Sequence, residues 1–226
     1  MNEPITKIRA IITGATGMVG EGVLHECLQS DEIESVLVLS RKPCGVSHPK
    51  LKEVLHANFF DLSPVEGELI NYNACFFCLG VSSIGMNEAK YTNLTHTLTM
   101  NVANTLCGLN AGMTFCYISG SGTDSSEKGK IMWARVKGKT ENDLVKLPFK
   151  QVFNFRPGII KPTKGLKNTL RFYKYLGWLF PFLNLFFSKH ICTLRELGLA
   201  MIHAATKGYN KQILEVKDIV ALSKSV

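Results

Sequence analysis

The stretch Lys7 to Gly22, KIRAIITGATGMVGEG, constrains the fold of this chain more than any other. It opens with an apolar, largely β-branched run (Ile8, Ala10, Ile11, Ile12) of the kind a strand buried on both faces needs. It breaks at Gly14 and resumes with helical spacing through Met18, Val19, Val23 and Leu24. The order is strand, tight turn, helix. Glycines stand at 14, 17 and 20. At that spacing Gly14 permits the turn, Gly17 leaves bare backbone for a pyrophosphate to approach, and Gly20 lets the helix pack close to the strand. The unpaired amides of the helix start, aided by the helix dipole, then face an anion. Gly14, Thr16, Gly17, Met18, Val19 and Gly20 are therefore the candidate residues of a dinucleotide-phosphate site.

Downstream the pattern repeats. A helix to about Gln29 leads to a second strand, Ser35 to Ser40, followed by Arg41 and Lys42. An acidic residue at this point would hold the ribose hydroxyls of NAD(H), whereas a basic one accommodates a 2′-phosphate. No acid is present, so NADP(H) is expected in preference to NAD(H), with Arg41 offering a planar fork and Lys42 a point charge. A third strand, Leu51 to His56, precedes Asn58 and Phe59, candidates for the adenine edge and ring, and Asp61, which caps the next turn. The apolar run Ala74 to Leu79 closes at Gly80, so Cys78, Leu79 and Gly80 fall at a strand's C-terminal end, where ligands bind in open α/β sheets. A long helix from about Asn87 to Leu109 and a fifth strand, Met113 to Ser119, follow. This alternation predicts an α/β fold with a doubly wound parallel sheet, and the glycine turn makes it Rossmann-like and NAD(P)-binding.

The 226 residues, 46% hydrophobic and 19% charged, supply the core of one domain spanning 1–226. The formal charge of +8 is not organised into a nucleic-acid motif, so the expected partner is a small polyanionic molecule and not nucleic acid. The seven cysteines are scattered through apolar runs. Cys75 and Cys78, at strand spacing, point to opposite faces, so neither a metal nor a redox pair is expected. The residues MNEPITK carry no apolar stretch, and a cytoplasmic location is expected.

With TGATGMVG at 13–20, SRK at 40–42, CLG at 78–80, YISGSG at 117–122, VKGKTEN at 136–142 and RPGIIKP at 156–162, the chain resembles the extended and atypical short-chain dehydrogenase/reductase superfamily, which includes NAD-dependent epimerase-like proteins. It is similar above all to the small Tat-interacting oxidoreductase-like group. That resemblance implies catalysis by a serine, a tyrosine and a lysine, the last two spaced Y-x-x-x-K so that both share one helix face and the ammonium lowers the phenol's pKa. Lys137 matches the lysine, but Trp133 stands at the tyrosine position, and an indole N–H does not ionise usefully. Three routes stay open: a proton passed through Ser119 or Ser121 and water, another tyrosine such as Tyr91 or Tyr117, or cofactor binding without turnover. By the same resemblance Pro157, Gly158 and Ile159 run along the nicotinamide carboxamide, and relatives commonly pair as homodimers.

Beyond residue 160 the chain changes character. Lys164, Lys167, Arg171 and Lys174 fit one face of a helix, with Leu166, Leu170 and Tyr173 on another. The following Tyr175–Phe187 is mostly apolar but too short and too broken by Pro181 and Asn184 to span a bilayer. By the same resemblance residues 160–192 form a small C-terminal helical lobe, a substrate or lid lobe, with a peripheral membrane surface or protein partner through 164–187 as the sharper expectation. Thr193 is expected to cap a helix Leu194 to Ala205, ILEVKDI to add a last strand, and His190 and His203 to be structural. The function expected is hydride transfer with NADP(H) to or from a small carbonyl, hydroxyl or sugar-type substrate, with Lys137 orienting the ribose. The alternative is a catalytically silent, cofactor-sensing interaction protein.

Overall fold

The structure is a computed structural model that describes residues 7–168 and 190–225. Its centre is a seven-stranded parallel sheet in the order β3-β2-β1-β4-β5-β6-β9. The strands are β1 (Ile8–Thr13), β2 (Ile33–Ser40), β3 (Leu51–Leu55), β4 (Ala74–Phe77), β5 (Thr114–Ile118), β6 (Gln151–Arg156) and β9 (Ile213–Glu215). Most are continuous apolar runs because both faces are covered. Side chains alternate across the sheet, so Ala10, Ile12, Val36, Val38, Phe76, Cys116, Phe153 and Phe155 enter one core while Ile11, Leu37, Leu39, Cys75, Phe77, Phe115 and Tyr117 enter the other.

The first core is closed by α1 (Met18–Gln29), α5 (Leu194–Lys207) and α6 (Val216–Ser223). Helices α1 and α5 meet where Gly22 receives the Leu194 side chain; a Cβ at Gly22 would lie 2.2 Å from it. The second core is closed by α3 (Leu98–Leu109), α4 (Met132–Leu144) and a 3-10 turn, Ser63–Glu68, which Asp61 caps through the Ser63 amide and hydroxyl, while α2 (Glu88–Thr92) packs on α4. Between α2 and α3 the helix widens into a π-helical turn, Asn93–Thr97. Cys75 and Cys78 pack into opposite cores, and burial raises both thiols, Cys78 to about 12.

Element order follows the sequence expectation, with differences of physical origin. Strand β2 starts two residues early, at Ile33, which pairs with Ile8. The segment VKDI is not strand: Glu215 closes β9 and its amide donates to Asp218 Oδ2 (3.3 Å), starting α6. Two short strands, β7 (Ile159–Lys161) and β8 (Ile191–Thr193), pair in a separate parallel ladder that brackets residues 162–190. Three residues each are too few for a periodicity to declare itself. Thr193 does cap α5, in a reciprocal box with Glu196. The basic helix expected from Lys164 does not begin there. Residues 164–168 form turns, with Gly165 in the left-handed region (φ 91°), and the amides of Lys167 and Asn168 donate to the buried Glu21 carboxylate (2.7 Å each). Arg171, Lys174 and the aromatic stretch Tyr175–Phe187 lie outside the described residues.

Candidate functional site

The strand order reverses between β1 and β4, and the crevice at their C-terminal ends is where open α/β sheets take ligands. Gly14 makes the turn in the left-handed region (φ 74°) with its Cα pressed on β4: an added Cβ would stand 2.6 Å from the Cys78 carbonyl oxygen. Gly20 is equally crowded, since a Cβ there would lie 2.2 Å from the Gly14 carbonyl oxygen. Gly17, the N-cap of α1, differs. Its only near neighbour is the Gly14 carbonyl, 3.4 Å from an added Cβ, and no side chain caps it. Met18 and Val19 turn their side chains to the core and leave backbone at the helix start. Two glycines close the turn and the third keeps a face bare, which is the cradle a pyrophosphate needs.

A cleft of about 480 Å³ continues from this turn, lined by Gly14, Thr16, Ser40, Arg41, Lys42, Phe59 and Leu79. Arg41 and Lys42 are exposed on its wall, and the Ser40 hydroxyl donates to the Lys42 carbonyl (2.7 Å), fixing the turn that carries them. A second hollow, of about 160 Å³, adjoins it between Arg41, Asn58, Phe59, Leu79, Gly80 and Val81. Asn58 uses its side-chain oxygen to accept the Phe60 amide (3.1 Å), bracing this loop, and Phe59 is buried with its carbonyl held by Asn101 (3.0 Å). Cys78 faces the glycine turn with its carbonyl, not its thiol.

The residues expected to carry chemistry gather at the ends of β5 and β6, and they divide. Ser119 is buried: its hydroxyl donates to Glu141 Oε1 (2.5 Å) and lies 3.1 Å from the Phe155 carbonyl, so it points into the protein. Ser121 is exposed, anchored by its amide on the Pro157 carbonyl (2.9 Å). Tyr91 and Tyr117 are 2% and 1% exposed, and burial pushes both phenols up. Lys137, on α4, donates to the Ser119 carbonyl, just past the end of β5. A Cβ placed on Gly120 would be 3.9 Å from Lys137 Nζ and 4.0 Å from the Pro157 carbonyl oxygen. Burial lowers the Lys137 ammonium to about 8, against the pull of Glu141, which favours the charge. Trp133 sits one turn earlier on the same helix, its ring edge 3.6 Å from where a Gly122 Cβ would be. Gly158 abuts the His190 carbonyl, and Ile159 enters β7, so this stretch joins the end of β6 to the small ladder.

Sequence reading missed the pair that organises this end. Arg156 grips Glu141 with Nε and Nη2 (3.0 and 2.5 Å) and reaches the Ser125 hydroxyl (2.6 Å), and both side chains are buried. The signal was available: Ala134, Lys137, Gly138, Glu141 and Leu144 form a seam at i, i+3, i+4, i+7 and i+10, and two charges on such a seam need partners inside.

No family model matches the chain. It is similar to fungal proteins, among them Protein FMP52, mitochondrial, of Meyerozyma guilliermondii (29% identity over 160 residues, 68% of this chain and 65% of that one). Another is Protein FMP52-1, mitochondrial, of Scheffersomyces stipitis (26% over 168 residues, 71% and 73%). The chain thus covers about two thirds to three quarters of these relatives' lengths. Their names overturn the expectation of a cytoplasmic protein. The apolar run sought at the amino terminus marks secretion, whereas mitochondrial addressing uses basic amphipathic segments, so its lack did not bear on that destination.

Among solved structures, the Helicobacter pylori ADP-L-glycero-D-manno-heptose-6-epimerase superposes with a TM-score of 0.67 (14% identity, 99% of this chain and 84% of that one). The Bordetella bronchiseptica enzyme WbmF in complex with NAD+ does so with 0.67 (13%, 97% and 77%). A short-chain dehydrogenase family protein of Francisella tularensis gives 0.63 (14%, 89% and 92%).

Proposed function

We propose that this chain, which has the Rossmann-type fold of the extended short-chain dehydrogenase/reductases and NAD-dependent epimerase-like enzymes, is an NADP(H)-dependent oxidoreductase acting on a small carbonyl, hydroxyl or sugar-type compound. The observation that carries the cofactor choice is the wall of the main cleft, where Arg41 and Lys42 stand beside Gly14 and Thr16 and no carboxylate among the described residues lines the cavity. A carboxylate there would repel a 2′-phosphate; a guanidinium fork binds it.

The chain's own groups divide the work. The bare backbone from Gly14 to Gly20 receives the pyrophosphate, Arg41 and Lys42 the 2′-phosphate, Phe59 and Leu79 the adenine, and Lys137 the nicotinamide ribose. When bound, the dinucleotide supplies or accepts hydride. The mitochondrion, given in the names of the fungal relatives, is the location that goes with this reading.

The test is a fluorescence or calorimetric titration with NADPH and NADH side by side, repeated on Arg41→Ala. NADPH should bind more tightly, and its advantage should fall by about tenfold to a hundredfold in the variant, the worth of one charge-assisted contact. Equal affinities in the native chain would refute the NADP(H) preference, and no binding of either nucleotide would refute the reading altogether. A second reading, a silent cofactor sensor, is favoured by Trp133; it requires tight NADPH binding with no turnover of any carbonyl.

A further inference from the structure

The site holds a half-buried amine where a proton is needed. Resting on the nicotinamide reading, we infer that Lys137 is itself the acid that protonates the substrate oxygen during carbonyl reduction, and the base in the reverse direction.

The inference comes from what each neighbouring group is already doing. Reduction of a carbonyl requires a proton at oxygen as hydride reaches carbon, and the donor must stand within hydrogen-bond reach of that oxygen. Among the described residues, Ser119 offers its hydroxyl hydrogen to Glu141 and has none to spare. Glu141 is committed to Ser119 and Arg156. Tyr91 and Tyr117 are enclosed in the core. Trp133 has only an indole N–H, which does not ionise near neutral pH. Ser121 is exposed and has an alcohol's acidity. Lys137 has three hydrogens, of which the Ser119 carbonyl takes one, and a Cβ built on Gly120 would stand 3.9 Å from its Nζ, so at Gly120 no side chain blocks approach to the amine.

The charged groups around the amine are Glu141, one turn on in α4, and Arg156 from the end of β6, bound to that same carboxylate. Glu141 favours the charged amine, but burial outweighs it and lowers the amine to about 8, within reach of the neutral range that acid catalysis requires. In the step, an N–H bond of Lys137 breaks and an O–H bond forms on the substrate. The electron pair arrives at the carbonyl carbon as hydride from NADPH, which is oxidised, and the neutral amine regains its proton from water.

The experiment has two readouts on one preparation. In the first, lysines are labelled by reductive methylation with ¹³C-formaldehyde and titrated by NMR without nucleotide, the Lys137 signal being the one missing from Lys137→Arg. It should titrate near pH 8 while surface lysines titrate near their ordinary value of about 10.4. In the second, NADPH oxidation is followed with 4-nitrobenzaldehyde and 9,10-phenanthrenequinone while NADPH binding is read by fluorescence. The rate should fall tenfold per pH unit above the NMR midpoint. Lys137→Ala should lose at least a hundredfold in rate and recover part of it with added alkylamines, in proportion to their acidity. Lys137→Arg, which keeps the charge, should not restore turnover. Trp133→Tyr, which supplies a phenol one turn away, should extend the active range to higher pH.

Retention of turnover in Lys137→Arg, an ordinary lysine midpoint, or NADPH binding with no reduction of either probe would each overturn the assignment of Lys137. Absence of NADPH binding would instead remove the reading beneath it.

Discussion

The Ser119 hydroxyl donates to the Glu141 carboxylate across 2.5 Å, closing a buried chain that runs from Arg156 through Glu141 to the serine whose carbonyl holds Lys137. The serine thus serves the site through its backbone, and its side chain belongs to the interior. Glu141→Ala should be the most damaging single change at this end, because it strands the Arg156 guanidinium inside the protein, at a cost of about 3–5 kcal/mol. Ser119→Ala should cost about 1–3 kcal/mol and leave the fold intact. Chemical denaturation of both variants checks the order; equal losses would show that the pair is not the support described.

The glycine turn separates packing from binding. Gly20→Ala must push a methyl group into the Gly14 carbonyl, so it should unfold the turn and lower stability by more than 2 kcal/mol. Gly17→Ala meets only one atom at ordinary contact distance, and its stability should stay within about 1 kcal/mol of the native chain. Yet its methyl group occupies the bare face, and NADPH affinity should fall at least tenfold. Thermal melts with and without NADPH distinguish the two: the ligand-induced rise in Tm should disappear in Gly17→Ala while the unliganded Tm barely moves.

Lys137 should be a stability cost at neutral pH. Its amine binds its proton less tightly when folded (about 8) than when unfolded (about 10.4), so between those values the unfolded chain holds more protons and stability rises with pH. Lys137→Met, which keeps the length and drops the charge, should therefore be more stable than the native chain at pH 7, by about 1–3 kcal/mol. The advantage should shrink to nothing above about pH 10.5. A native chain whose stability is flat from pH 7 to 10 would contradict this.

Asp143 has the opposite sign. Burial raises its pKa, but hydrogen bonds from Lys146, Lys139 and His96 outweigh that and hold it well below the usual carboxylate range. The stability it contributes is complete above about pH 4 and is lost as pH falls toward the folded value. The cations are largely exposed, which limits the gain to about 1–2 kcal/mol. Denaturant midpoints from pH 7 to pH 2 should show the native chain converging on Asp143→Asn at the acid end.

The sequence by itself determined the parallel sheet, the glycine turn and the basic end of β2, because each rests on local chemistry: β-branched runs, glycine spacing, and a missing acid beside Arg41. Thr193 and Asp61 were legible for the same reason, since a cap bonds to amides two or three residues away. Only the tertiary structure decided which hydroxyl is buried. Ser119 and Ser121 look alike in sequence, yet one is drawn inward by Glu141, a partner 22 residues on, and the other is left exposed. The same holds for Glu21, whose partners are the amides of Lys167 and Asn168 across the fold, and for Lys137, whose acidity is set by what encloses it. Periodicity and spacing report a residue's neighbours along the chain. Burial and charge pairing depend on neighbours brought together by packing, and at this site they determine which groups can carry a proton.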